Sequence, residues 1–328
     1  MRKARTVFTL TAALAALFAW SGSAQAIILD PVEINTIPVG SAPGAVAHYP
    51  DAGRVFVGNT GSGTVSVIDE YGGFVIRDVA VGPAPHGIAV DRQLSRVYVA
   101  IGESNQVVVL NAVNGQRLAT FVVPQCTGPT GPWGIDVHPG TGTVYVACYS
   151  ASQVVALNGL TGAILKAVPA FPNGGALGVV VDAATNRVYV SQFGAPEIRI
   201  LDAATLEIAG RVTGGIRAGV WGLALDPITH RVAAANFFDG TIQIISGQRV
   251  VNTRGGFSGP EWIAFDSLRD RVWIPENTAN RVTAWDLLTG RVIRVPISGT
   301  RPTAVAVNPA GFVYSANFGT LNVSVIAE

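Results

Sequence analysis

Few residues in this chain are equipped for chemistry, and none falls in a complete catalytic motif. The sequence contains no Gly-x-Ser-x-Gly, no His-Glu-x-x-His and no Gly-x-x-x-x-Gly-Lys-Ser/Thr. The 4 histidines are scattered at positions 48, 86, 138 and 230. Glu261 and Glu276, with the amides of Asn236 and Asn317, offer oxygen ligands of the kind a divalent cation such as calcium takes. His86 would add an acid–base group to that set. Trp133, Trp221 and Trp262 supply apolar wall, and Arg217 and Arg301 supply anion contacts. Such a combination describes either a binding pocket without catalysis or a metal-assisted lyase or hydrolase. Which residues meet depends on the elements that carry them.

The first of those elements is a leader. Arg2, Lys3 and Arg5 precede an apolar run over residues 7–20, and Ala24-Gln25-Ala26 follows. This charged, apolar, small-x-small order is that of a secretory signal peptide. A spanning helix needs about 20 apolar residues, and this run is shorter. Residues 1–26 are therefore expected to be cleaved and residues 27–328 exported, to a periplasm or out of the cell. No later stretch is long and apolar enough to span a bilayer.

The net charge of the full chain is +1, which gives no field for nucleic acid. Apolar residues are 49% and charged residues 13%, the reverse of a disordered composition. The 38 Gly and 19 Pro suit many tight turns.

One segment recurs along the chain. Its copies include Arg54-Val55-Phe56-Val57, Arg96-Val97-Tyr98-Val99, Arg187-Val188-Tyr189-Val190 and Arg271-Val272-Trp273-Ile274. The anchor valines are 55, 97, 144, 188, 232, 272 and 313, spaced 42, 47, 44, 44, 40 and 41 residues apart. Each copy holds four short β-type runs, in the second copy over 87–90, 96–100, 106–111 and 116–122. The third and fourth runs are joined by Asn/Asp-x-x-x-Gly turns, as at Asn111–Gly115 and Asp286–Gly290. Four antiparallel strands per 40–45 residues make one propeller blade. The fold class is thus all-β, one seven-bladed β-propeller over residues 27–328. The last copy ends after its third strand, at 322–327, and an unassigned N-terminal strand, 32–39, completes it and closes the ring.

Val55-Phe56-Val57-Gly58-Asn59 followed by 63–69 resembles the YVTN repeat of bacterial secreted or surface β-propellers. So does Val313-Tyr314-Ser315-Ala316-Asn317 followed by 322–326. The resemblance covers the mature chain and implies a seven-bladed propeller without fixing a function. The Thr-Gly turns at 161–162 and 289–290 have counterparts in quinoprotein propellers, but those are eight-bladed with a tryptophan docking pattern, so no quinone is expected. The sites of lactonase-type and streptogramin-lyase-type propellers do not match residue by residue and are not carried over.

In a propeller the loops joining strand 4 to strand 1, and strand 2 to strand 3, meet at the mouth of a central funnel. The 4–1 loops place Pro43, His86, Trp133, Leu177, Trp221, Glu261 and Thr303 in one row. The 2–3 loops begin at Asn59, Ile101, Cys148, Gln192, Asn236, Glu276 and Asn317. The candidate ligand-binding ring is therefore His86, Trp133, Trp221, Glu261, Asn59, Gln192, Asn236, Glu276 and Asn317. A mainly structural role for these polar residues is the competing reading. His138 occupies the slot of Asp91, Asp182, Asp226 and Asp266, which marks it as a turn residue.

Cys126 and Cys148 map to the same face and, in an exported chain, form a candidate disulfide. Free thiols and metal ligation are the alternatives. The absence of Cys-x-x-Cys-His argues against covalent haem. The preferred reading is an exported, non-catalytic binding or interaction scaffold, without cofactor. Its partner is an unidentified protein or small molecule at the funnel, and the closed ring is expected to be a monomer. The alternative is a metal-dependent lyase or lactonase-like hydrolase in the same funnel.

Overall fold

The computed structural model describes residues 30–172 and 175–328. The proposed leader, 1–26, lies outside the described residues. The chain forms seven four-stranded antiparallel sheets. Blade 1 runs through Pro43–Tyr49, Arg54–Asn59, Thr64–Asp69 and Phe74–Ala80. Blade 2 runs through Pro85–Asp91, Arg96–Ile101, Gln106–Asn111 and Arg117–Val122. Blades 3, 4, 5 and 6 repeat the pattern, starting at Pro132, Ala176, Val220 and Pro260. Blade 7 takes Pro302–Val307, Val313–Asn317 and Asn322–Ala327 from the C-terminus and Val32–Pro38 from the N-terminus. In that closing pair Ile37 sits opposite Val323.

The burial of each strand explains its sequence. The second and third strands of a blade are covered on both faces and read as unbroken apolar runs, as in Arg96–Ile101 and Gln106–Asn111. The outermost strand faces water, and in Phe74–Ala80 the exposed residues mix Phe74, Ile76 and Ala80 with Arg77 and Asp78. The tyrosine of the recurring Arg-Val-Tyr-Val segment spans to the next blade. Tyr98 donates to the Gly159 carbonyl at 2.9 Å, and Tyr145 donates to the Ala203 carbonyl at 2.6 Å. Both acceptors lie just past the third strand of the following blade, so each tyrosine fixes the blade-to-blade stagger.

The turns follow the same logic. Asn111 Oδ1 accepts from the backbone N–H of Val113 and Asn114, and Gly115 closes the turn at φ 72°. His138 fills an Asp slot, and its Nδ1 accepts from the Gly140 N–H at 3.1 Å.

The register corrects one row of the mouth. Pro43 pairs with Asn59, as Pro85 pairs with Ile101. The blade 1 counterpart of His86 is therefore Gly44. Blade 1 has no bulky side chain there to mark the position. Blade 6 departs in another way. Its innermost strand is only Ala264–Asp266. Upstream of it, Trp262 pairs in parallel with blade 7, donating to the Thr303 carbonyl at 3.0 Å and accepting from the Val305 N–H at 3.1 Å.

Candidate funnel site

The mouth residues are held by the start of each innermost strand. A glycine follows the mouth residue at Gly87, Gly134, Gly178 and Gly222. A Cβ on Gly134 would stand 2.2 Å from the Leu177 carbonyl oxygen, and one on Gly222 would stand 2.3 Å from that of Glu261. Glycine is thus required for the backbone of the next blade to approach the axis. At the same position blade 6 carries Trp262 instead.

These strands enclose a mouth cavity of about 190 Å³. His86, Trp133, Trp221, Glu261, Trp262 and Arg301 line it, with Thr60, Asn277, Thr303 and Phe318 at its margins. Below it the axial channel holds a further 200 Å³ or so. His86 and Trp262 line both spaces.

One wall is continuous aromatic surface. His86 stacks on Trp133 with centroids 3.9 Å apart and planes 4° from parallel. Trp133 meets Trp221 edge-on at 6.3 Å, and Trp221 meets Phe193 and Phe237 at 5.5 and 5.4 Å. On the other side the Arg301 guanidinium lies 4.7 Å over the Phe318 ring. Arg217 is spent elsewhere, on Asp239 at 3.2 Å.

Burial sets the charge of this site. Desolvation pushes the Glu261 carboxyl up to about 8, opposed by the Arg301 charge. Desolvation pushes the His86 imidazole down to about 4. At neutral pH the cavity therefore presents a protonated carboxyl, a neutral imidazole and one cation, Arg301. Trp221 Nε1 is buried with no hydrogen-bond partner among the described residues.

Of the sequence-derived ring, His86, Trp133, Trp221 and Glu261 meet at this cavity. The others sit at the ends of second strands, buried, outside the cavity lining. Asn59 Nδ2 donates to Thr64 and Ser66, and Asn317 Nδ2 donates to Asn322 and Ser324. Asn236 donates to the Arg217 carbonyl at 3.0 Å. Gln192 is buried at the equivalent point of blade 4. Glu276 accepts from Arg281 Nε and Nη2 at 2.8 and 2.7 Å, from Thr283 Oγ1 at 2.5 Å and from the Ser258 N–H at 2.8 Å. Burial alone would raise its pKa, but the Arg281 and Thr283 hydrogen bonds outweigh it and hold the carboxyl below its ordinary value. Glu261 and Glu276 therefore do not share a ligand set. Among the described residues no group of three or more His, Cys, Asp or Glu is placed to hold a metal ion.

Cys126 and Cys148 are joined in a disulfide, with Cα atoms 4.8 Å apart. Cys148 lies opposite Pro132 in the register, beside Trp133. The bond thus braces the strand that carries the centre of the aromatic wall.

Asp136 was not singled out by sequence, although it lines the axial channel. It accepts from the Val137 and Val181 N–H groups, each at 2.8 Å. Desolvation nonetheless raises it to about 6. Its counterparts are Ala47, Ala89, Val180, Ala224, Ala264 and Ala306. One carboxyl against six apolar residues was a signal available from aligned copies.

Fold and site together define a seven-bladed β-propeller with a small aromatic funnel site. No protein-family model and no curated protein matches the chain. Among solved structures it is similar to the hydrazine synthase of Kuenenia stuttgartiensis. That match has a TM-score of 0.75 at 20% identity, over 88% of this chain and 96% of the other. At that identity the likeness concerns the fold alone.

Proposed function

We propose that the protein is an exported binding propeller of the YVTN-repeat type whose funnel takes a small aromatic carboxylate. The observation that carries this reading is the buried, proton-holding Glu261 in a tryptophan-walled cavity beside Arg301. A ring would stack on the Trp133 and Trp221 surface. Its carboxylate would accept from the Glu261 hydroxyl and pair with Arg301, both charge-assisted contacts. The mouth volume of about 190 Å³ limits the ligand to a single ring with short substituents, unless it reaches the axial channel. The disulfide supports an oxidising compartment and hence export. No helix among the described residues is long and apolar enough to cross a membrane.

The test is a tryptophan-fluorescence titration with 4-hydroxybenzoate and with its uncharged alcohol analogue. The acid should quench saturably and the alcohol should bind at least about tenfold more weakly, the value of one lost charged contact. Arg301→Gln and Trp133→Ala should each weaken the acid. Affinity should fall about tenfold per unit above pH 8, as Glu261 loses its proton. Equal binding of acid and alcohol, or none of either, would remove the reading.

A second reading has its own support, since a carboxylic acid and a neutral imidazole line one cavity. That pairing suits acid–base chemistry on a bound ester or lactone. Chromatography of the titrated mixture separates the two readings, because an enzyme consumes its ligand.

A further inference from the structure

A second cavity lies on the opposite face, at the seam where the N-terminal strand closes the ring. It measures about 450 Å³ and is walled by blade 7, the closing strand and blade 1. Ile34, Ile37, Tyr71, Phe312 and Val325 form its apolar wall. At its base stand His48, Glu70, Asn308 and Tyr314. His48 Nε2 and Glu70 Oε2 are 2.6 Å apart, and both side chains are under a tenth exposed. Asn308 Nδ2 approaches the same oxygen at 3.5 Å. The Tyr314 hydroxyl hydrogen-bonds the same carboxylate, and its ring stacks near-parallel to His48 at 6.3 Å.

Neither His48 nor Glu70 belongs to the repeat. The register places His48 in the slot filled by Val90, Val137, Val181, Leu225, Phe265 and Val307. Glu70 stands where other blades carry Ala112, Gly159, Ala203, Gly247 and Leu287. In blade 7 the slot is Glu328, which is ion-paired to Arg269 and Arg271. Glu70 has no such arginine among the described residues. Arg92, which acts on His48 electrostatically, pairs with Asp51. Two polar residues therefore replace apolar or small ones at one seam and touch each other inside an apolar cavity. Burying such a pair costs stability that a plain aliphatic contact would not.

We propose that this seam cavity binds a small organic amine, with the ammonium on Glu70 and the hydrocarbon body against Tyr71, Phe312 and Ile34. The volume falls in the range of small-molecule sites, as does the plan of apolar walls with a few convergent polar groups. The charge is complementary. The cavity lining holds one carboxylate and no Lys or Arg. Burial holds the His48 imidazole in its neutral form, against the pull of Glu70, so its Nε2–H donates to the carboxylate and fixes it. A carboxylate has about four acceptor sites. The donors from His48, Asn308 and Tyr314 leave room for one more.

The test is calorimetric titration of the full chain with phenethylamine, with 2-phenylethanol and phenylacetate as neutral and anionic matches. Phenethylamine should bind saturably and the other two at least about tenfold more weakly. Glu70→Gln should remove the preference for the amine, while Glu207→Gln, an exposed carboxylate on blade 4, should leave it unchanged. Should Glu70→Gln fail to fold, Phe312→Ala, which keeps the polar set and opens the wall, should weaken the amine instead. No amine binding by the folded chain, an equal affinity for the alcohol, or a preference that survives Glu70→Gln would overturn the proposal.

Discussion

Glu261 carries the highest-stakes chemistry of any single residue in the funnel. Folded, its carboxyl keeps a proton to about pH 8, whereas its ordinary value is 4.5. The native state therefore binds more protons than the unfolded one over that window, and stability falls as pH rises through it. His86 works in the other direction. It stays neutral to about pH 4 when folded but protonates near 6.5 when unfolded, so stability falls as pH drops through that interval. The two slopes oppose each other between 4.5 and 6.5. From 6.5 to 8 Glu261 acts without that opposition, and Glu261→Gln should flatten the profile there, by about 2 kcal/mol across the interval. Urea denaturation at a series of pH values measures this directly. A slope unchanged by the substitution would mean that the carboxyl is already ionised at neutral pH. His86, Trp133, Trp221 and Glu261 were legible in the sequence because each departs from its counterparts in a stretch that reads as a 4–1 loop, although His86, Trp133 and Trp221 open the innermost strands of their blades. Asp136 departs just as plainly but lies deeper in the innermost strand of its blade, where only the hydrophobic pattern was read. His48 and Glu70 were less legible still, since their significance comes from a contact across the closure of the ring.

At the scale of elements, the mouth depends on how closely the innermost strands can converge. Gly222→Ala places a methyl group 2.3 Å from the Glu261 carbonyl oxygen, so blade 6 must retreat from the axis. The expected cost is about 1–3 kcal/mol, the range for overpacking a tight site. Thermal unfolding would report it, together with a red shift of Trp221 and Trp262 fluorescence. An unchanged melting point would show that the strand can move without loss. Strand identities and turn types were readable from the repeat because apolar runs and Asx turns are local signals. The mouth register in blade 1 was not, because Gly44 offers no side chain to align. The shortened inner strand of blade 6 was also hidden. It follows from Trp262 pairing with blade 7, a contact between blades that no single copy contains.

For the whole molecule, the ring is closed by one strand from each end of the chain. Ile37 is 2% exposed and packs with Val55, Tyr314 and Val323, so it joins blade 7 to blade 1. Ile37→Asp should unfold or open the seam, since an unpaired buried charge costs several kcal/mol. Size-exclusion chromatography should then show aggregation through the bared edge of Asn322–Ala327. A monomeric variant of native stability would mean that the other blades hold the ring without this strand. Seven copies and a missing fourth strand were enough to foresee the closure, because ring topology is written in spacing.

The account's central claim is that the funnel mouth is a binding site for an aromatic carboxylate. A crystal structure of the protein grown with saturating 4-hydroxybenzoate tests it most directly. The ring should lie against Trp133 and Trp221, with its carboxylate within hydrogen-bond distance of Glu261 and Arg301. A fully occupied ligand elsewhere on the molecule, or a funnel mouth holding only water at that concentration, would contradict the account.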